Sequence, residues 1–189
     1  MQVEELLDIL HLAEKLKDMT RHCYTSGGRV ESVAEHSFRA ALMAYFMTDE
    51  FPDADMNKVI KMCLIHDLGE CFTGDIPTFD KTKQDEEKES SLLTKWVKSL
   101  SEPYAQEMQE LYQEMEARQT QEAKIYKAID GLEAVIQHNE SDISTWLPME
   151  YELNKTYADD KVAFSKYMMK LREEIRKETL NKIEESEKR

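Results

Sequence analysis

The sequence predicts an all-α fold, and three observations carry that prediction. Only five Gly and four Pro occur in 189 residues, so turn punctuation is sparse. Strict apolar–polar alternation, the mark of strands, is scarce. Apolar side chains instead recur at i, i+3, i+4 and i+7 along most of the chain, the period of helices with one buried face. The length fits one domain with one substantial core. No internal repeat or low-complexity linker interrupts it. Residues 1–182 therefore read as a single domain and 183–189 as a charged, frayed tail.

The elements follow in order. Leu6, Leu7, Leu10, Ala13 and Leu16 form one stripe of a first helix from Val3 to about Lys17. Thr20 to Arg29 reads as a loop ending in Gly27-Gly28. Ser32-Val33-Ala34-Glu35 is a capping box, which starts a helix running to about Asp49. Phe38, Ala41, Leu42 and Tyr45 supply much of its apolar surface. Phe51-Pro52-Asp53 breaks the chain, and Asp55 caps a helix ending near Gly69. Glu70 to Lys83 reads as a functional loop, since Gly74, Pro77 and several polar side chains crowd one short run. Asp85 to Ser99 is a charged helix that turns Leu92, Leu93, Trp96 and Val97 inward. Glu102-Pro103 opens another, to about Arg118. Thr120 caps the next, to about Asn139, with Ile125, Ile129, Leu132 and Ile136 on one face. Asp142 to Tyr157 is irregular and broken at Pro148. A last helix runs from Asp159 to about Glu184, burying Phe164, Tyr167, Met168, Leu171 and Ile175.

Composition excludes several classes of function. A net charge of −14 disfavours nucleic-acid polymers and anionic membranes as partners. An anionic substrate therefore needs a local positive centre, a metal or an arginine. Cys23, Cys63 and Cys71 form no C-x-x-C and read as reduced thiols of a cytoplasmic protein. The acidic start Met1-Gln2-Val3-Glu4-Glu5 lacks the basic opening of a signal peptide. No apolar run approaches the roughly 18 residues of a membrane span.

The chemistry concentrates in Leu64 to Pro77. Val59, Met62, Cys63 and His66 fall on one helical face, so His66 points inward at a helix end. Asp67 lies about 100° further round, and near a helix end both can lean toward one cation. His36 lies early in its own helix, and Asp130 borders the stripe of Ile129, Leu132 and Ile136. Taken singly, each has a plainer reading. The histidines can be hydrogen-bonded core side chains. Asp130 can be a solvated residue or a partner of Lys127. Together they make a two-His, two-carboxylate set suited to Zn, Mn, Fe, Co or Mg. No His lies between Asp67 and His138. His11 and His138 read as ordinary side chains.

The ordered blocks Glu35-His36-Ser37, His66-Asp67 and Asp130 resemble the H…HD…D motif of the HD-domain metal-dependent phosphohydrolases. Arg21, the run from Glu31 to Ser37, His66-Asp67-Leu68-Gly69-Glu70, Gly74-Asp75-Ile76-Pro77 and the run from Glu122 to Asp130 are more closely similar to the HD-domain 5′-deoxynucleotidases. The resemblance implies an all-α HD-domain helical bundle. It implies one divalent metal (Co, Mn, Mg, Fe or Zn) held by His36, His66, Asp67 and Asp130, and phosphate release from deoxyribonucleoside 5′-monophosphates. Asp67 and Asp130 then also face the nucleotide. Arg21 matches the family's phosphate-orienting arginine, which can clamp a phosphate oxygen bidentately. Asp75, Ile76, Pro77 and Thr78 match its substrate loop, and Glu70 matches the acid beside the reaction centre. Either Glu70 or Asp75 can move the proton. His22 stands where the family often has a Trp that contacts the sugar side, so sugar and base preference stay open.

Other HD hydrolases, acting on a nucleoside triphosphate, an alarmone or a cyclic nucleotide, form the alternative. A metal-stabilised helical protein without enzymatic activity forms a second. The resemblance also implies a homodimer, for which the C-terminal helix and the 103–118 segment are the candidate contacts.

Overall fold

The computed structural model describes residues 1–77 and 79–188; Thr78, expected in the substrate loop, lies outside them. Helices dominate, as the periodicity requires: α1 (Val3–Glu14), α2 (Val33–Phe46), α3 (Met56–Ile65), α4 (Glu70–Thr73) and α5 (Lys83–Val97). They are followed by α6 (Tyr104–Ala117), α7 (Gln121–Glu140), α8 (Glu150–Thr156), α9 (Asp159–Val162) and α10 (Lys166–Glu187). Several starts sit where the caps place them. Ser32 and Glu35 make a reciprocal capping box, and Asp55 and Thr120 accept from Lys58 and Ala123 N–H.

Helix α7 is the axis of the fold. Ala123, Ile125, Ala128, Ile129, Leu132 and Val135 are all buried, and α2, α3, α6, α9 and α10 pack around it. The face of α2 that meets α7 and α3 is built from small side chains, Ala40, Ala41 and Ala44, with Val33 and His36. Small residues let helix axes approach closely, and that approach brings His36 to the centre.

Several expectations are corrected. Phe38, Leu42 and Tyr45 face outward on α2, beside exposed Phe46. The apolar stripe of α1 is also outward: Leu6, Leu7 and Leu10 are exposed, and only Leu16, beyond the helix, enters a small cluster with Val33 and Cys71. The expected loop from Thr20 contains β1 (Thr20–Tyr24), paired antiparallel with β2 (Val30–Ser32). Gly28, at φ 82°, serves the turn between them. Gln137 Nε2 donates to the Tyr24 carbonyl at 2.6 Å and ties this hairpin to α7. The irregular stretch before Tyr157 holds α8. The single last helix is two, because Ser165 starts α10 with a cap to Met168 N–H. Met168 and Ile175 are buried, whereas Phe164 is exposed. Helix α10 runs on through residues 183–187, the stretch expected as a tail.

Candidate metal centre and substrate cavity

Four side chains from α2, α7 and the end of α3 converge. The capping box sets the first turn of α2, where His36 is fully buried. His66 and Asp67 follow the last residue of α3, whose Ile65 carbonyl accepts from Tyr112 Oη at 2.6 Å. Asp130 comes from the middle of α7. The Nε2 atoms of His36 and His66 lie 3.1 Å apart. Asp67 Oδ2 is 3.0 Å from His66 Nε2 and 3.7 Å from His36 Nε2. Asp130 Oδ1 is 3.3 Å from His36 Nε2 and 3.7 Å from His66 Nε2. Donor atoms of His36, His66 and Asp67 all fall within 4.8 Å of one another.

The far side of each imidazole is anchored. His66 Nδ1 donates to the Cys63 carbonyl at 2.8 Å, which turns its Nε2 toward the cluster. His36 Nδ1 bonds to buried Glu133, whose Oε1 accepts from Arg39 Nε at 2.5 Å. A carboxylate behind a histidine is the usual support of a metal ligand. Sequence reasoning missed Glu133, although an acid at i+4 from Ile129 on a buried stripe was a readable signal. Without a cation the centre draws a proton instead. Burial and Arg21 oppose charge on His36, but contacts with Asp130 and Glu133 outweigh them and raise its pKa to about 10. Burial opposes charge on Asp67 too, yet His66 and His36 hold it down to about 2. Asp130 lies well below the usual carboxylate range: burial opposes, but Lys127 and the histidines prevail. Asp67 Oδ2 is buried without a hydrogen-bond partner. Two neutral-imidazole donors, two ionised carboxylates and an orphaned oxygen fit one divalent cation, with positions left open on a five- or six-coordinate ion. The plainer reading of Asp130 holds as well, since its other oxygen accepts from Lys127 Nζ at 2.7 Å.

The centre opens into a cavity of about 430 Å³, within the range of small-molecule sites. Arg21, His22, Glu70, Asp75, Ile76 and Pro77 line it together with Asp67 and Asp130. Arg21, on β1, pairs with Glu31 at 3.3 Å and reaches to 3.8 Å from Asp67. Gly74, at φ 78°, ends α4 and turns the loop at Asp75 to Pro77 into the cavity. Burial, reinforced by Asp67 and Asp75, pushes Glu70 up to about 10. Burial also raises Asp75, although Arg21 opposes it. His138, read as an ordinary side chain, lines the cavity, as do Phe79, Glu150 and Asn154, which sequence reasoning missed. For the last two the signal was Glu150, Leu153, Asn154 and Tyr157 at one helical spacing. No helix among the described residues is long and apolar enough to cross a membrane.

Comparison with known proteins places this geometry. A family model described as HD domain matches residues 13–172. The 5′-deoxynucleotidase HDDC2 of Bos taurus is 32% identical over 139 residues, covering 71% of this chain and 67% of the relative. The crystal structure of a predicted metal-dependent phosphohydrolase from Magnetospirillum magnetotacticum superposes with a TM-score of 0.79 at 26% identity, over 95% of this chain and 93% of that one. The cyanophage S-2L HD phosphohydrolase, solved with dA and one catalytic Zn²⁺ ion, shares the fold with a TM-score of 0.56 at 21% identity, over 98% of each chain. With the family model spanning most of its length and its H…HD…D residues drawn together, this chain belongs to the HD domain family.

Proposed function

We propose that this protein is a metal-dependent 5′-deoxynucleotidase that releases inorganic phosphate from deoxyribonucleoside 5′-monophosphates. One observation carries the reading: Asp67 and Asp130, two of the four clustered residues, line a nucleotide-sized cavity together with Arg21 and Glu70. The 5′-deoxynucleotidase relatives support it. A divalent cation held by the four residues supplies Lewis acidity toward phosphoryl oxygens and toward water. Arg21, kept charged by Asp67 and Glu133 against its burial, orients a phosphate oxygen. Glu70 holds the proton that the departing 5′ oxygen needs, because burial beside Asp67 and Asp75 keeps it neutral. Asp75, Ile76, Pro77 and Thr78 form the loop over the substrate, and His22 meets its sugar side.

The test is phosphate release from a panel of deoxynucleoside monophosphates with Co, Mn or Mg added. Release that disappears in His66→Ala and Asp67→Ala is expected. No turnover of any monophosphate, or release of tripolyphosphate or pyrophosphate when a nucleoside triphosphate is offered instead, contradicts it.

The finer parts of the reading are a single domain over 1–182, a cytoplasmic location and a homodimer. Free, buried Cys23, Cys63 and Cys71 support a reducing compartment. Exposed Phe38, Leu42, Tyr45 and Phe46 support a dimer contact on α2, in addition to the C-terminal helix and the 103–118 segment expected from sequence, which expose Met169, Leu180 and Tyr104. Sedimentation tests the contact: Phe46→Asp should turn a dimer into a monomer, and a monomeric wild type contradicts it.

A further inference from the structure

The cavity has a second end, lined by buried polar side chains, one of which lacks a partner. Asp130, Ala134 and His138 occupy successive turns on the cavity face of α7. At 1.5 Å per residue, His138 stands about 12 Å beyond the metal ligand. That is the scale of an extended nucleotide from phosphate to base, and the small Ala134 leaves the passage open between them. Helix α8 closes this end with Glu150 and Asn154, one turn apart.

Both side chains are nearly inaccessible, at 2% and 3% exposure. Glu150 Oε2 accepts from Leu147 N–H at 2.7 Å. Its Oε1 stands 3.6 Å from His22 Nε2 and 3.5 Å from His138 Nε2, both longer than a good hydrogen bond. Asn154 Nδ2 is buried without an acceptor. A buried amide short of an acceptor costs stability unless a ligand completes it, and the loosely contacted Glu150 Oε1 can take a better donor than the two distant imidazoles. The pair is also held in place. Buried Arg172 donates to the Asn154 carbonyl at 2.9 Å and to the Tyr157 carbonyl at 2.8 Å, satisfying the exposed end of α8.

We propose that this end is a nucleobase subsite, in which Glu150 accepts from a base N–H and Asn154 donates to the neighbouring ring acceptor. The edge of a nucleobase presents such a donor beside such an acceptor. Glu150 and Asn154 are then specificity-determining residues, which act on the base and not on the phosphate. The proposal rests on the nucleotidase reading for its substrate class.

Two readouts test it. The first is calorimetric binding of the four common deoxynucleosides, which needs no turnover. The second is kcat/KM for the matching 5′-monophosphates against deoxyribose 5-phosphate, which lacks a base. In Glu150→Gln and Asn154→Asp, deoxynucleoside binding and nucleotide kcat/KM should fall about 10-fold or more, the weight of a hydrogen bond to a buried charged or unpaired group. Turnover of deoxyribose 5-phosphate should hold, which also shows that the variants fold. Unchanged deoxynucleoside binding, no deoxynucleoside binding by the wild type, or an equal loss on the baseless substrate overturns the subsite. If deoxynucleosides bind and weaken as described while no monophosphate is hydrolysed, the subsite stands and the nucleotidase reading fails.

Discussion

The two ends of one cavity are built on opposite plans. At the metal end, His66 and His36 are each held from behind, by the Cys63 carbonyl and Glu133, and the ligands stand on or beside three mutually packed helices. At the far end, Asn154 leaves its Nδ2 unpartnered, Glu150 Oε1 meets His22 and His138 only at 3.5–3.6 Å, and His22 and Phe79 meet edge-on with ring centroids 5.6 Å apart. At the first end the orphaned oxygen of Asp67 is placed for a cation. The second is incomplete until something with its own donors and acceptors arrives. A general chemistry can be kept at one end while preference is adjusted at the other.

Two substitutions, read in three measurements, sharpen this contrast, from the largest effect down. Glu70→Gln should cut phosphate release by about 10²–10⁴-fold for every substrate, since it removes the proton donor whatever the base. A loss confined to one base would move Glu70 out of the chemistry and into recognition. Glu133→Gln should weaken metal affinity by about 10–100-fold, read by competition with a chelator, while excess metal restores turnover. Unchanged affinity would reduce Glu133 to a structural contact.

The smallest effect is on stability. Glu70 has an ordinary value of 4.5 and is raised to about 10 by burial, Asp67 and Asp75. Between those values the folded chain holds a proton that the unfolded chain has released. Stability of the metal-free protein should therefore fall as pH rises through that window, and Glu70→Gln should remove that part of the slope. Asp67 and Asp130 act in a separate range. Their depressed values contribute stability that is lost as pH falls below the usual carboxylate range. Urea midpoints with chelator present, followed against pH, separate the two. A midpoint flat from neutral to alkaline pH would contradict the burial of a neutral Glu70.

The metal end was legible in the sequence because its chemistry is local. His66-Asp67 is a doublet, the capping box marks the start of the helix that carries His36, and Asp130 sits beside a regular apolar stripe. What escaped was whatever depends on which way a helix faces. Phe38, Leu42 and Tyr45 look like a core stripe, yet the core took the alanines, because close packing of α2 on α3 and α7 needs small residues. The β1–β2 hairpin was hidden by polar residues, although Thr20 to Tyr24 is followed by Gly27-Gly28 and Val30. The far end of the cavity carries no motif. Glu150 and Asn154 acquire meaning only from their distance to His22 and His138, and that distance exists only after α8 folds against α10.

The central claim is that residues 36, 66, 67 and 130 share one ion. Crystals grown with Mn or Co and measured at the metal's absorption edge test it most directly. The account predicts a single anomalous peak about 2.0–2.3 Å from both imidazole Nε2 atoms and from an oxygen of each carboxylate. A peak elsewhere, or a fully loaded protein with density between the histidines but none within reach of Asp130, would contradict it.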